Sequence, residues 1–528
     1  ENLESWSDLA DNIGRQLTIA DDPEAQTILM LRLAALRESR MGAVDAAIEI
    51  YREVLDRDPA NPYALEALER LIQTAEHQLQ IAGILEPIYR DASQYEKLIF
   101  VIEIQAAHAE SSDMTVELLH QIAELYEVAL EDYGNSFHSY ARALAEDPAD
   151  LNTQEQLERI ARATSAFEEL AQVYEERADA LLAAAAPAEP EFDEDGVPIE
   201  VHPGASEESG LAAQLLVKAA AIREDQIGDV ETAIKHYERV LTIDARHIES
   251  ATALERLFQM SERYQELAAI LLRKSEILDI PEDQKAHLFR AAAIHEDLLE
   301  QLPAAIDVYK KVLDVDAEDV NALDKLIELH LRLEKWEDLL GYYERKADIV
   351  FDPDEKKSLY VEVGAVYERE IGDGARAIDT YQRILEIDPD DLTAIGRLDA
   401  LYQAAGNWDE LRAILEREAD LAMDPSEVIS YRYRIADLWD HKLGDPARAV
   451  DIYREILAVI PDHVPTLEAL ERMITEGKEP NEAALVLEPI YSQYGEFERL
   501  VHVLEVQIQH DEDPVHRVEL LHRVAELS

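Results

Sequence analysis

A short pattern that recurs six times constrains the fold of this chain more than any other feature of its sequence. Each copy has a small residue, an aliphatic or aromatic residue directly after it, a tyrosine three positions further on, and a leucine four positions after the tyrosine. We predict that these positions form the core of a structural repeat: Ala47, Tyr51, Leu55, Tyr140, Leu144, Ala233, Tyr237, Leu241, Ala305, Tyr309, Leu313, Ala377, Tyr381, Leu385, Ala449, Tyr453 and Leu457. The last four tyrosines are 72 residues apart, whereas the first two steps are 89 and 97 residues. Such a period indicates one repeated unit, stabilised by stacking on its neighbours.

Helical spacing and turn residues define what one unit contains. The apolar residues recur every three to four positions, which predicts amphipathic helices. Glycines lie nine residues before four of the tyrosines, where a left-handed residue would end one helix before the next begins: Gly42, Gly228, Gly372 and Gly444. Prolines such as Pro389 lie eight residues after a tyrosine and end the helix that contains it. We therefore predict an all-α solenoid of stacked antiparallel helical hairpins, with two hairpins of about 34 residues in each 72-residue unit.

The repeat resembles the tetratricopeptide repeat (TPR) family. Ala377, Tyr381 and Pro389 match the alanine, aromatic and proline positions in and after the second helix of that family, and Ile384 replaces its second alanine. The resemblance covers nearly the whole chain, which is similar to long TPR arrays of large bacterial proteins. It implies a TPR-like right-handed superhelix, whose concave groove would hold an extended peptide or a partner helix.

Two irregularities interrupt the period and suggest domain boundaries. The 89-residue step leaves room for one extra helix near 76–92, and the sequence Leu-Glu-Pro-Ile-Tyr from that segment recurs in a second extra helix near 480–494. The 97-residue step contains an acidic, proline-rich stretch at 187–210. We predict a TPR-like array over 1–186, a loop insertion over 187–210, and a second array over 211–528 that continues beyond the end of this sequence.

The acidic stretch is open to two interpretations. It is either a surface insertion that the fold tolerates, because long surface loops cost little stability, or an arm that contacts a basic partner. The candidate partner-contact residues are Glu189, Glu191, Asp193, Glu194 and Asp195.

The charge of the chain restricts its partners. It has 114 acidic and 49 basic residues, a formal net charge of −65, and therefore repels nucleic acid and anionic bilayers while attracting basic protein surfaces. The same acids would also keep a large array soluble or adapt it to salt. The chain has no cysteine, which excludes disulfides and thiolate metal sites. That absence is compatible with both cytoplasm and periplasm, and we favour the cytoplasm.

The sequence contains no recognisable catalytic or cofactor motif. We find no phosphate-binding glycine loop, no HExxH and no GxSxG motif, and the 16 histidines form no convincing metal-ligand pair. We therefore predict a protein that is not an enzyme and has no cofactor or metal. The favoured function is a protein–protein interaction scaffold that binds a basic or amphipathic partner along the solenoid surface. The alternatives are a structural spacer or protomer of a larger assembly or filament, and an acidic chaperone for basic proteins.

Overall fold

The computed structural model describes residues 3–185 and 206–527, and for residues 3–5 and 75 it describes the backbone alone. Across these ranges the chain forms helices and turns, without any strand. The predicted all-α fold is therefore confirmed. The predicted contact residues Glu189, Glu191, Asp193, Glu194 and Asp195 lie outside the described ranges. No helix within those ranges has the length and the apolar composition that crossing a membrane requires.

The chain divides into two compact units, Glu1–His287 and Leu288–Ser528. In each unit, helices pack chiefly on their neighbours in sequence. Their short connections make successive helices antiparallel, as in helical hairpins. The helices of the first unit, with α15 extending past its boundary, are α1 Leu3–Ile19, α2 Pro23–Ser39, α3 Val44–Arg57, α4 Pro62–Leu71, α5 Gln78–Asp91, α6 Tyr95–Ala107, α7 Ser112–Glu124, α8 Tyr133–Glu146, α9 Leu151–Thr164, α10 Phe167–Ala185, α11 Glu207–Ile222, α12 Val230–Ile243, α13 Ile248–Met260, α14 Tyr264–Ile277 and α15 Pro281–Ala293.

The second unit continues the same alternation. Its helices are α16 Leu302–Val315, α17 Val320–Arg332, α18 Trp336–Ile349, α19 Pro353–Val366, α20 Gly374–Ile387, α21 Leu392–Ala405, α22 Trp408–Leu421, α23 Pro425–His441, α24 Pro446–Val459, α25 Val464–Glu476, α26 Pro480–Tyr494, α27 Phe497–His510 and α28 Pro514–Leu527. Helices α7, α11, α15 and α19 each run on into a five-residue π-helical turn, and a short 3₁₀ helix precedes α5. These segments are Leu125–Ala129, Arg223–Ile227, Ile294–Leu298, Tyr367–Ile371 and, for the 3₁₀ helix, Ala75–His77.

Aspartate caps fix where many of these helices begin. The carboxylates of Asp150 and Asp391 each accept hydrogen bonds from the backbone N–H groups two and three residues ahead, at the start of α9 and α21. Such bonds satisfy donors that the first helical turn leaves unpaired, and typically stabilise a helix by about 1 kcal/mol.

A similar cap corrects one predicted boundary. The hydroxyl of Ser206 accepts a hydrogen bond from the backbone N–H of Ser209 at 3.2 Å. Helix α11 therefore begins at Glu207, and residues 207–210, which we expected to belong to the acidic loop, are helical. The acids of its first turn also suit the positive end of the helix dipole.

Left-handed residues end a helix nine positions before each repeat tyrosine. The four predicted glycines have φ between 64° and 82°, which confirms their role: Gly42, Gly228, Gly372 and Gly444. In the other two repeats the same position holds Glu131 and Glu300, each with φ 53°. The backbone therefore keeps one turn geometry in all six repeats, although a glutamate is strained there by its Cβ.

Helices α5 and α26 lie in the two segments where the sequence suggested an extra helix. Each carries a buried tyrosine whose hydroxyl donates to a glutamate of the preceding helix, from Tyr89 to Glu69 at 2.7 Å and from Tyr491 to Glu471 at 2.5 Å. Both helices are thus packed into the hydrophobic core of their own unit.

Candidate functional site

The residues predicted to form the repeat core lie inside the helical arrays. The six repeat tyrosines are at most 6 % exposed and the repeat alanines are fully buried, while Leu385 is only partly buried. Small side chains at the alanine positions let neighbouring helices approach closely. The tyrosine rings fill the space between them. These positions therefore shape the arrays and offer no surface to a ligand.

Several repeat tyrosines, Tyr51, Tyr309 and Tyr381 among them, donate a hydrogen bond to a carboxylate that reasoning from the sequence missed. The hydroxyl of Tyr51 donates to Glu38 at 3.0 Å, and that of Tyr309 donates to Glu296 at 3.1 Å. The acid lies thirteen residues before the tyrosine, at the end of the preceding helix. Burial of the hydroxyl, together with the nearby carboxylates, raises the pKa of Tyr140 to about 12.

The same carboxylates also bind a cation on the helix that follows the tyrosine. Glu127 accepts two hydrogen bonds from Arg159, both at 2.6 Å, and the fully buried Asp440 accepts one from Arg472 at 3.2 Å. In every repeat an acid and a cation thus lie on the helices before and after the tyrosine, although the hydroxyl of Tyr453 has no hydrogen-bond partner among the described residues. We call these sets the triads: Glu38–Tyr51–Arg70, Glu127–Tyr140–Arg159, Glu224–Tyr237–Arg256, Glu296–Tyr309–Lys325, Glu368–Tyr381–Arg397 and Asp440–Tyr453–Arg472.

The triads have a signal in the sequence. The acid precedes each repeat tyrosine by thirteen residues, and in four repeats an arginine follows it by nineteen: Arg70, Arg159, Arg256 and Arg472. Most of these cations are about half exposed, so each pair adds little stability by itself. Its physical role is to fix the relative positions of three helices, and hence of the surface between the first and the third.

That surface opens into a cleft between α2 and α4. The cleft has a volume of about 1140 Å³, and its apolar walls include Ile28 and Leu31 from α2, and Tyr63 from α4. Ile28 is 60 % exposed and Tyr63 is 70 % exposed, so neither contributes to the core. The side chain of Asn61 caps α4, accepting the N–H of Ala64 at 3.3 Å, and thereby holds Tyr63 in the first helical turn.

The charges on the walls of the cleft are only partly paired. Arg70 binds Glu38 inside the triad, whereas Glu24 and Glu66 are exposed and have no hydrogen-bond or ion-pair partner in the described ranges. Arg32 lines the same cleft, also without a partner there. The cleft therefore presents exposed apolar side chains together with two unpaired carboxylates, those of Glu24 and Glu66, and one unpaired guanidinium, that of Arg32.

Comparison of the repeats shows how the cleft could have been found in the sequence. Twelve residues after the repeat tyrosine, the first repeat has Tyr63 while the next two have Asn152 and Glu249. Twenty-three residues before it, the first repeat has Ile28 and the second has Glu117. An exposed apolar residue at a position that is polar in other repeats indicates a functional surface in that repeat.

The described residues offer little that suggests acid–base or metal chemistry. They contain no group of three or more histidine, aspartate or glutamate side chains arranged to hold a metal ion. Burial raises the pKa of Glu418 to about 7, with a further contribution from Asp399, which Arg434 holds through two hydrogen bonds of 2.7 Å. Burial therefore favours the neutral, protonated form of Glu418, and its ionisation lowers the stability of the fold.

Two segments of the chain match family models. Residues 29–61 and residues 394–429 each match a model described as tetratricopeptide repeat. The comparison with curated proteins gives no match.

Several solved structures are similar in part. YrrB, described as a TPR protein with an unusual peptide-binding site, is 18 % identical, with 35 % of this chain and 90 % of that chain covered and a TM-score of 0.22. The TPR domain of P58(IPK) is 12 % identical, with 78 % and 98 % covered and a TM-score of 0.19. A tetratricopeptide repeat protein from Parabacteroides merdae is 17 % identical, with 59 % and 98 % covered and a TM-score of 0.20.

Proposed function

We propose that this chain, as a tetratricopeptide-repeat protein, is a non-catalytic scaffold. It would bind a basic, amphipathic segment of a partner protein. Helical repeats of this kind offer extended surfaces for binding other proteins. The partner segment would lie in the cleft between α2 and α4.

The observation that carries the proposal is the pairing of exposed apolar side chains with unpaired acids in this cleft. Ile28 and Tyr63 would bury apolar area against a partner, and a buried aromatic ring is among the strongest anchors of a protein interface. Glu24 and Glu66 lie on opposite walls, so lysine or arginine side chains on the partner would meet a carboxylate on either side.

The overall charge supports the same partner chemistry. With a net charge of −65, the chain attracts a basic segment from solution and repels an acidic one. Electrostatic attraction of this kind raises the rate of association and falls with added salt.

Binding of defined peptides tests the proposal. The probes are two fluorescent helical peptides with the same leucine face, one with lysine on its polar face and one with glutamate. We expect the lysine peptide to bind at about 0.01 M salt and to weaken at about 1 M, where the Debye length falls from about 30 Å to about 3 Å. Failure of the lysine peptide to bind at low salt, or equal binding of the glutamate peptide, would contradict the proposal.

Matched variants place the binding in the cleft. Tyr63→Ser should weaken binding of the lysine peptide to the cleft about 10-fold or more, because burying such a ring is worth more than 1.4 kcal/mol. Tyr494→Ser is the control, since Tyr494 is 52 % exposed and lies on α26. Glu24→Gln together with Glu66→Gln should reduce the salt dependence, and the exposed Glu337 and Glu505 provide the corresponding glutamine control.

A further inference from the structure

The second unit carries a row of exposed apolar side chains that no helix covers. Val320, Phe351, Leu392, Met423 and Val464 are 37 %, 99 %, 68 %, 99 % and 58 % exposed. Single exposed apolar residues are common on protein surfaces, but a set at regular intervals is not. Val320, Leu392 and Val464 are 72 residues apart, as are Phe351 and Met423, so the row follows the repeat.

All five residues lie at one edge of this unit. Each is the first residue of a helix or lies two positions before it, in α17, α19, α21, α23 and α25. Because successive helices are antiparallel, every second helix points the same way. The amino-terminal ends of these five helices therefore face the same edge.

The row has no role in helix capping that would explain it. An apolar residue before the N-cap can pack against the fourth helical residue, but the residue in that place after Phe351 is Lys356. Met423 has Val428 in that place, yet its side chain is 99 % exposed and makes no such contact. Together the five side chains expose apolar area on the order of several hundred Å², distributed over the starts of five helices.

Carboxylates accompany the apolar residues along the whole edge. Each apolar residue has an exposed acid one or two positions away in sequence: Glu318, Asp352, Asp390, Asp424 and Asp462. Two nearby cations are already engaged, since Arg345 donates to the carbonyl oxygen of Ala317 at 2.7 Å and Lys357 donates to Asp388 at 2.7 Å. We call these ten residues the apolar–acidic edge.

We propose that the apolar–acidic edge is a second docking surface, and that it binds a basic amphipathic segment of a partner protein. This inference rests on the proposed scaffold function, to which it adds a surface separate from the cleft. The charge selects the occupant. A second copy of this chain would place like charges against one another, and an anionic bilayer would be repelled, whereas a lysine-rich amphipathic segment matches both the apolar and the acidic positions.

The first unit offers a comparison within the same chain. Leu151 and Ile248 occupy the position of Val320 in their repeats and are 68 % and 38 % exposed. Two residues before them, however, stand Ala149 and Arg246 in place of the exposed acid. Ile248 has the exposed Glu249 directly after it, whereas Leu151 has no exposed acid within two positions, so Leu151 is the matched control for Leu392.

Methionine methyl resonances can report on this edge directly. The chain has six methionines, and Met423 and Met260 are 99 % and 73 % exposed on different units. In the full chain labelled at the methionine ε-methyl carbon, we expect the lysine peptide to shift the Met423 resonance and to leave that of Met260 unchanged. Met423→Leu assigns the resonance. The Tyr63→Ser variant should retain the Met423 shift, because the edge does not depend on the cleft.

Two side-chain variants complete the test. Phe351→Ser and Leu392→Ser should each raise the dissociation constant of the peptide, read from the Met423 shift. The increase should be about 10-fold for Phe351→Ser. Leu151→Ser should leave it unchanged. If the peptide binds the chain but leaves the Met423 resonance in place, this inference is overturned and the scaffold proposal stands.

Three other results would also count against the edge. If the peptide does not bind at all, the scaffold proposal fails with it. A Met423 shift that appears on raising the concentration of the chain alone would identify the edge as a self-association surface. Binding to anionic phosphatidylserine vesicles, lost in Phe351→Ser, would make it a membrane contact.

Discussion

Replacing glutamate by glycine, and glycine by alanine, at the helix-ending turn should change local stability in opposite directions. The two substitutions are Glu300→Gly and Gly372→Ala, at equivalent positions of neighbouring repeats in the second unit. Glu300 is exposed and has no hydrogen-bond or ion-pair partner in the described chain, so deleting its side chain removes no contact. A Cβ added to Gly372 meets no described atom within 4 Å, so alanine there introduces no clash. Both substitutions therefore test backbone strain alone.

The magnitude follows from the φ angles. A residue with a Cβ in the left-handed region is strained by about 1–2 kcal/mol, and both positions lie there, with φ of 53° and 75°. Glycine relieves this strain but loses more conformational freedom on folding, which offsets about 0.5–1 kcal/mol. We expect Glu300→Gly to stabilise the turn by about 0.5–1 kcal/mol and Gly372→Ala to destabilise its turn by a similar amount.

Native-state hydrogen exchange measures these changes locally, which matters because long repeat arrays need not unfold in one step. The informative amides are those that close each turn, from Gln301 to the carbonyl of His295 at 2.7 Å and from Asp373 to that of Tyr367 at 2.9 Å. Exchange of the first should slow about two- to fivefold in Glu300→Gly, and exchange of the second should accelerate similarly in Gly372→Ala. Shifts of the same sign in both variants would refute the strain argument.

Three further predictions concern titration, pairing and packing. Because the pKa of Glu418 is raised to about 7, its protonated form stabilises the fold at low pH, and that contribution is lost as pH rises through 7. Glu418→Gln should therefore raise the melting temperature at pH 8 and leave it unchanged near pH 4. Equal shifts at both pH values would contradict this prediction. A double-mutant cycle of Glu127→Gln and Arg159→Gln should give a coupling energy of about 0.5–1 kcal/mol. This energy should fall in high salt, because Arg159 is half exposed. Zero coupling at low salt would argue against an ion pair between Glu127 and Arg159. Tyr381→Ala should destabilise its repeat by about 3–5 kcal/mol through a cavity, and Ala377→Leu by about 1–3 kcal/mol through overpacking; urea unfolding unaffected by either would be inconsistent with their burial.

The repeat fold could be predicted from the sequence because its cause is local. Helical spacing of apolar residues and the glycines at the turns recur at fixed offsets, and both determine backbone geometry directly. The left-handed residues Glu131 and Glu300 escaped notice, since no residue-type signal marks a glutamate for that conformation. Helix α11 starts earlier than expected because Ser206 supplies a cap that the acidic composition around it obscured.

The candidate surfaces were harder to predict for a different reason. Whether Tyr63 or Phe351 packs inward or faces solvent depends on the helix it meets in three dimensions, and apolar residues in a helical pattern usually indicate core. Comparing the same position across repeats would have singled out Tyr63, which replaces polar residues. Phe351 and Met423 share their position with each other, so only their exposure reveals them. The contact role of the acidic residues near Glu191 stays a prediction.

The spacing of the triads has a consequence for where this array can change length. In the triads of Arg70, Arg159, Arg256 and Arg472, acid and arginine are 32 residues apart, so any insertion between them would break the register. The irregular segments avoid that interval: α5 and α26 each follow a helix that supplies the arginine, and residues 186–205 fall between α10 and α11. New segments can therefore be inserted between a helix that carries the arginine and the helix that carries the next acid, without separating the members of a triad. Those junctions are the natural places to insert a tag or a foreign domain.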